Sequence, residues 1–138
     1  MISVLISSES RYPVSRPKIK EAVEVYLKNL GIEDVELSVA IVGARKIREL
    51  NKKWRKLDEE TAVLTFALEE PRDKEGILRA GDIIISYPEA RTIAEEDNLL
   101  VDEAIEKLLV HGLKNLFGIS SNDNHFLSQV PATKISGS

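Results

Sequence analysis

Residues 101–118 read VDEAIEKLLVHGLKNLFG, and this stretch decides how the rest of the chain is interpreted. At about 100° per residue, its apolar side chains fall on one face of a helix that Gly118 ends. His111 lies at the margin of that face, and Asn115 follows one turn later, so both side chains can point to a common place. Gly112 leaves room there for another backbone or a substrate. A histidine at a helix margin is most often simply a partly buried side chain, so the helix alone establishes no function.

The segments before this helix alternate between strand and helix patterns. Apolar and alternating runs predict four strands, and apolar side chains spaced three and four apart predict three further helices. The order β-α-β-α-β-β-α-α indicates an α+β fold with a single mixed four-stranded sheet, packed with about four to five helices. The predicted strands cover residues 2–6, 35–42, 61–68 and 82–87, and the helices cover residues 16–31, 45–56, 88–98 and 100–117.

The composition favours a single domain followed by a different kind of segment. At 138 residues, with 43% hydrophobic and 30% charged residues, the chain is typical of one globular domain. We assign residues 1–118 to this domain. Residues 119–138 carry two charges and five serines without a helical pattern, which predicts an irregular or disordered tail.

Cysteine and histidine usage limits the chemistry available to the chain. It has no cysteine and two histidines. These counts exclude disulfides, thiolate zinc sites and a cysteine nucleophile, and one chain cannot form a three-histidine site. No apolar run approaches the ~20 residues of a membrane helix, and the N-terminus has no basic region of a signal peptide. We therefore expect a cytoplasmic protein without a membrane partner.

One segment is strongly basic although the whole chain is acidic. The net charge is −4, whereas residues 43–56 carry seven basic side chains and one acidic one. The segment is therefore +6 and the remainder −10. Such a segment is either a solvated helix face or a surface for a phosphate-rich partner such as RNA. The candidate RNA-binding residues are Arg45, Lys46, Arg48, Lys52, Lys53 and Arg55.

Three motifs in order resemble the YbeY-type endoribonucleases, which are bacterial rRNA maturation factors. HGLKNLFG resembles their zinc helix, His-Gly-x-Leu-His-Leu-x-Gly-Tyr-Asp-His. NKKWRKLDEETAVLTF resembles their Asn-x-x-Tyr-Arg-x-x-Asp-x-Pro-Thr-Asp/Asn-Val-Leu-Ser-Phe block, and GDIIIS resembles their Gly-Asp-Ile strand. The resemblance covers about residues 2–118. It implies the zincin-like YbeY fold and a metal-dependent endoribonuclease acting on single-stranded RNA.

The resemblance implies a zinc site that this chain fills incompletely. The three family ligand positions fall on His111, Asn115 and Ser121, and neither an amide nor a hydroxyl replaces imidazole well. We therefore expect weak or absent zinc binding. His125 is the other imidazole of the chain and a candidate second ligand. Arg55 matches the family's active-site arginine and is the candidate catalytic residue, to hold phosphate and stabilise developing charge.

Three hypotheses follow for function. The first is a hydrolase of RNA metabolism, a zinc-dependent endonuclease acting in 16S rRNA maturation and ribosome assembly, with rRNA and ribosomal components as partners. The second is a non-catalytic RNA- or ribosome-binding member that has lost its zinc site. The third is an ordinary member with an altered tail. This leaves two departures from the family motifs unexplained because both precede the tail, namely Asn115 and Ala62, which stands where the family has Asp or Asn. Whether the chain is an enzyme stays open at this point.

Overall fold

The computed structural model describes residues 1–68 and 73–118, and the backbone of residues 133–135. Strands and helices follow the predicted order. They are β1 (Ile2–Ser8), α1 (Arg16–Asn29), β2 (Val35–Val42), α2 (Ala44–Arg55), β3 (Val63–Leu68), β4 (Leu78–Ser86), α3 (Tyr87–Asp97), α4 (Val101–Leu116) and β5 (Thr133–Ile135).

Local sequence signals explain where the helices begin. The Ser15 side chain accepts a hydrogen bond from the Lys18 N–H at 3.4 Å, and the Ser86 hydroxyl caps α3 in the same way. At the start of α4, the Glu103 carboxylate accepts from the Leu100 N–H at 2.8 Å. These side chains satisfy N–H groups that have no partner within the first turn of a helix.

The strands form one mixed sheet in the order β1-β2-β4-β3-β5. β1, β2 and β4 run parallel, β3 is antiparallel to β4, and β5 is parallel to β3. The α+β fold with a single mixed sheet is therefore confirmed. A fifth strand is added to the four predicted ones, and β4 begins four residues earlier than predicted, at Leu78.

The short strand β5 lies in the segment that composition predicts to be irregular. Its backbone pairs with the edge of β3, opposite residues 66–68. An edge strand presents unpaired N–H and C=O groups, which accept a partner of almost any sequence. Residues 119–132 and 136–138 lie outside the described residues, so the prediction of an irregular tail stays a prediction for them.

Helices cover both faces of the sheet. A Cβ added at Gly112 of α4 would lie 2.7 Å from Cγ2 of Ile83, so α4 packs directly on β4. The neighbouring residue Asp82 is paired with Phe66, whose ring meets Trp54 of α2 at 5.9 Å between centroids. Successive strand residues point to opposite faces, so α4 and Trp54 of α2 lie on opposite sides of the sheet. Helices α1 and α3 both pack against α4.

The close contact between Gly112 and Ile83 predicts a specific mutational effect. Gly112→Ala would place a methyl group in the space of the Ile83 side chain. We expect a loss of about 1–3 kcal/mol in the free energy of unfolding, measured by chemical denaturation, because overpacking displaces the helix. In an Ile83→Ala background the same substitution should cost less, since the two sites are coupled. Equal costs in both backgrounds would contradict direct packing.

A turn before β4 predicts how stability depends on pH. The Asp73 carboxylate accepts hydrogen bonds from the Ile77 and Glu75 N–H groups at 3.0 and 2.8 Å. These bonds, with a smaller contribution from Arg79, lower the pKa of Asp73. The stabilisation is therefore present above the unfolded pKa of about 3.9 and is lost as pH falls through the lower folded pKa.

Asp73→Asn should therefore reduce the stability lost on acidification. Denaturation curves at pH 7 and at about pH 3 would measure the loss in each protein. Glu95→Gln, which removes an exposed carboxylate from α3, is the matched control. If Asp73→Asn and Glu95→Gln change the acid sensitivity equally, the turn carries no special share of it.

Candidate functional site

His111 lies inside the protein rather than at a helix margin. It is 5% exposed, and Gly112 beside it holds α4 close to the sheet. Its Nε2 is buried and has no hydrogen-bond partner within the described residues. Burial, together with the nearby Lys114, lowers the pKa of His111 below its usual value. The imidazole is therefore neutral near pH 7 and can accept a proton or donate a lone pair to a metal.

Two further polar atoms are buried, one on each face of the sheet, and were missed by sequence reasoning. Thr65 Oγ1 and Asn51 Oδ1 are buried without partners in the described part of the chain. Thr65 is paired with Ile83 across β3 and β4, on the face that α4 covers at Gly112. Buried polar groups without partners are rare and are often functional. The sequence feature that could have identified Thr65 is its position as a polar residue inside the apolar run VLTFAL.

Asn51 connects the basic helix to the loop before β3. Its Nδ2 donates to the Glu59 carbonyl at 3.0 Å, and the residue is 1% exposed. The helix pattern predicts Trp54 on the buried face of α2 with Ile47, but Trp54 is 39% exposed. Asn51 takes the inward position one turn after Ile47 because its amide hydrogen-bonds to the loop backbone. The Trp54 ring instead contacts Phe66 of β3.

The predicted basic residues lie along α2, mostly exposed. Arg48 forms an ion pair with Asp58 at 2.8 Å, and Arg45 approaches Glu49 at 4.0 Å. The hydrogen bond between Arg48 and Asp58 lowers the pKa of Asp58 and raises that of Arg48. Part of the positive charge of the helix is therefore compensated locally.

Arg55 differs from the other basic residues of α2. It is half-buried at the last residue of the helix, whereas the rest of this set is exposed. It forms no ion pair with the residues that the structure describes, whereas Arg11, Arg45, Arg48 and Arg79 each do. Lys53 instead lies over the Trp54 ring, 5.2 Å from its centroid. The C-terminal end of α2 thus combines an arginine that has no ion-pair partner among the described residues with an accessible aromatic side chain.

The predicted site residues approach the β3 side of the sheet from its two faces. Arg55 follows Trp54, which contacts Phe66 of β3, while His111 precedes Gly112, which packs beside the Thr65–Ile83 pair. No direct contact joins Arg55 to His111. A substrate that contacted both would have to pass around the edge of the sheet at β5, beside β3.

The described residues do not complete the zinc site of the family. Asn115 lies one turn after His111 on α4, as predicted, and is half-buried. Ser121 and His125 lie outside the described residues. Among residues 1–68 and 73–118, no group of three His, Cys, Asp or Glu side chains is placed to hold a metal. One imidazole and one amide do not form a donor set that suits zinc.

Comparison with known proteins extends the motif resemblance to nearly the whole chain. The family described as Endoribonuclease YbeY matches residues 7–125. The Endoribonuclease YbeY of Persephonella marina is 36% identical over 131 residues, which are 94% of this chain and 86% of that protein. The protein of the same name from Aquifex aeolicus is 40% identical over 115 residues, covering 83% and 75% of the two chains.

A solved structure agrees on the fold. The solution structure of a Thermotoga maritima protein matches with a TM-score of 0.57 and 24% identity, covering 91% of this chain and 79% of the other. Within the described helices, none is long and apolar enough to cross a membrane. The order of motifs, the fold and the extent of the family match lead to one conclusion: this chain belongs to the YbeY family of endoribonucleases.

Proposed function

We propose that this protein hydrolyses phosphodiester bonds of single-stranded RNA in the maturation of 16S rRNA and the assembly of the ribosome, and so acts in the cytoplasm. Family membership supports RNA as the substrate class. The basic surface of α2 supports binding of a polyanion, with Arg45, Lys46, Arg48, Lys52, Lys53 and Arg55 as the proposed RNA-binding residues.

The state of Arg55 is the observation that carries this proposal. Arg55 is half-buried and has no ion-pair partner among the described residues. A buried cation is costly unless an anion compensates it. A phosphate would do so through two parallel N–H···O hydrogen bonds, which also position the phosphorus for attack. Arg55 would then stabilise the charge that develops on the phosphate oxygens.

Trp54 favours single-stranded over double-stranded RNA. The ring is 39% exposed and lies between the basic face of α2 and Phe66. Unpaired bases stack on such rings while basic side chains follow the backbone, whereas bases inside a duplex are already stacked on each other. The neighbouring Lys53 supplies a cation at the same place.

The zinc site is the part of the family's chemistry that this chain retains least completely. His111 supplies one imidazole, and we propose His125 as the second because no other histidine exists. Two imidazoles bind zinc less tightly than the family's three. We therefore propose low zinc affinity and activity below that of a three-histidine member.

Removing Arg55 should test the phosphate-binding role. Arg55→Ala should lower kcat/KM on a single-stranded RNA by about 10- to 100-fold, because the developing charge loses a hydrogen-bond donor. The assay follows cleavage of an end-labelled oligonucleotide, with a duplex of the same sequence cleaved more slowly. Lys20→Ala, an exposed basic residue of α1, is the matched control and should change the rate little.

The same assay separates the enzyme from the non-catalytic alternative. If Arg55→Ala and Lys20→Ala cleave equally well, Arg55 does not hold the phosphate. If the unaltered chain binds RNA but never cleaves it, with or without added zinc, the proposed activity is wrong and the binding-module hypothesis replaces it.

Restoring the family ligands should increase metal binding. Asn115→His combined with Ser121→His places imidazoles at both altered positions, and we expect tighter zinc binding and faster RNA cleavage. Isothermal titration with zinc and elemental analysis measure the first, and the cleavage assay measures the second. Asn115→Gln with Ser121→Gln controls for side-chain size. One tightly held zinc per chain in the unaltered protein would contradict the proposed weak site.

A further inference from the structure

A groove runs between α1 and α4, away from the basic surface. Its volume is about 460 Å³, and both helices contribute to its lining. The two helices have 14 and 16 residues, so their paired length is about 20 Å at 1.5 Å per residue. That length matches three to four turns of a third helix laid between them.

The floor and edges of the groove are apolar. Ile105 and Leu109 form its buried base, with exposed fractions of 2% and 0%. Val25 and Leu100 stand at its edges, 52% and 69% exposed. Exposed large apolar side chains that line a groove together are typical of a docking surface for another molecule.

The rim of the groove is acidic. Its charged residues are four carboxylates and one amine: Glu21, Asp102, Glu103, Glu106 and Lys18. Lys18 is already paired with Asp102 at 3.2 Å. The remaining charge is negative, which repels RNA and anionic membranes and attracts a cationic partner.

A second copy of this chain does not fit the groove well. Among the described helices the strongly basic one is α2, but its apolar residue Ile47 is fully buried in its own core. Trp54 is the exposed large apolar side chain of this helix, so α2 offers no continuous apolar face together with its positive charges. The apolar floor and acidic rim of the groove instead favour a helix that is apolar on one side and rich in Lys or Arg on the other.

We propose that the α1–α4 groove binds a basic amphipathic helix of a different protein. The apolar side chains of that helix would occupy the space between Val25 and Leu109, and its flanking cations would face Glu21 and Glu106. The groove and Trp54 of α2 lie on opposite sides of the sheet. The partner can therefore be bound at the same time as RNA, and its binding does not require the proposed RNA cleavage.

A pair of model peptides tests this proposal on the full-length chain. One is a helical peptide of about 14 residues with leucines spaced three and four apart and lysines elsewhere, and the other has glutamates in place of the lysines. Fluorescence anisotropy of labelled peptides measures binding, and amide NMR shifts locate it. We expect the lysine peptide to bind at least about tenfold more tightly and to shift residues 19–29 and 100–110.

Two variants connect the binding to the groove. Val25→Asp removes an apolar edge, and we expect it to weaken the lysine peptide by about tenfold while leaving RNA cleavage unchanged. Glu106→Gln should weaken it about two- to fivefold and reduce its dependence on salt. Glu95→Gln on α3 is the matched control outside the groove and should have no effect.

Several outcomes would overturn the proposal. They are equal binding of both peptides, binding that Val25→Asp does not weaken, and NMR shifts confined to other surfaces. A dimer in sedimentation that Val25→Asp abolishes would assign the groove to a second copy. Nuclear Overhauser contacts between residues 119–132 and Val25 would assign it to the chain's own tail. Loss of RNA cleavage with intact peptide binding would instead remove the proposed function alone.

Discussion

The direct packing of α4 on β4 is the contact on which the rest of the structure depends. Since Gly112 has no side chain, the helix backbone approaches Ile83 closely enough that even a methyl group would not fit without displacement. The neighbouring His111 is thereby held inside the protein, where burial keeps it neutral. The same approach covers Thr65 on the adjacent strand. A larger residue at this position would move the imidazole and the helix together.

Charge divides the described surface into a basic side and an acidic side. The basic helix α2 and its exposed Trp54 lie on one face of the sheet, and the acidic α1–α4 groove lies on the other. A polyanion and a cationic partner therefore meet different surfaces, with little competition between them. The net charge of −4 conceals this division, because a +6 segment is balanced by the acidic remainder. Arg55 and His111 approach the β3 side of the sheet from these two opposite faces.

Much of the fold follows from local patterns, and much of the site does not. The bounds of β2 were predicted because its alternating residues report directly which side faces the core. Trp54 was expected on the buried face of α2, since a helix pattern counts apolarity but not the amide that Asn51 uses to satisfy the Glu59 carbonyl. The burial of His111 depends on how closely two elements approach, which spacing along one helix cannot show.

We propose that RNA phosphate is held by Arg55 at the end of α2, on the face of the sheet opposite the buried His111. The most direct measurement is a structure of the chain with a single-stranded RNA made uncleavable by 2′-O-methylation. We expect one phosphate within hydrogen-bond distance of the Arg55 guanidinium, on the β3 side of the sheet, with a base stacked on Trp54. RNA bound elsewhere on α2, with Arg55 turned to solvent, would contradict it.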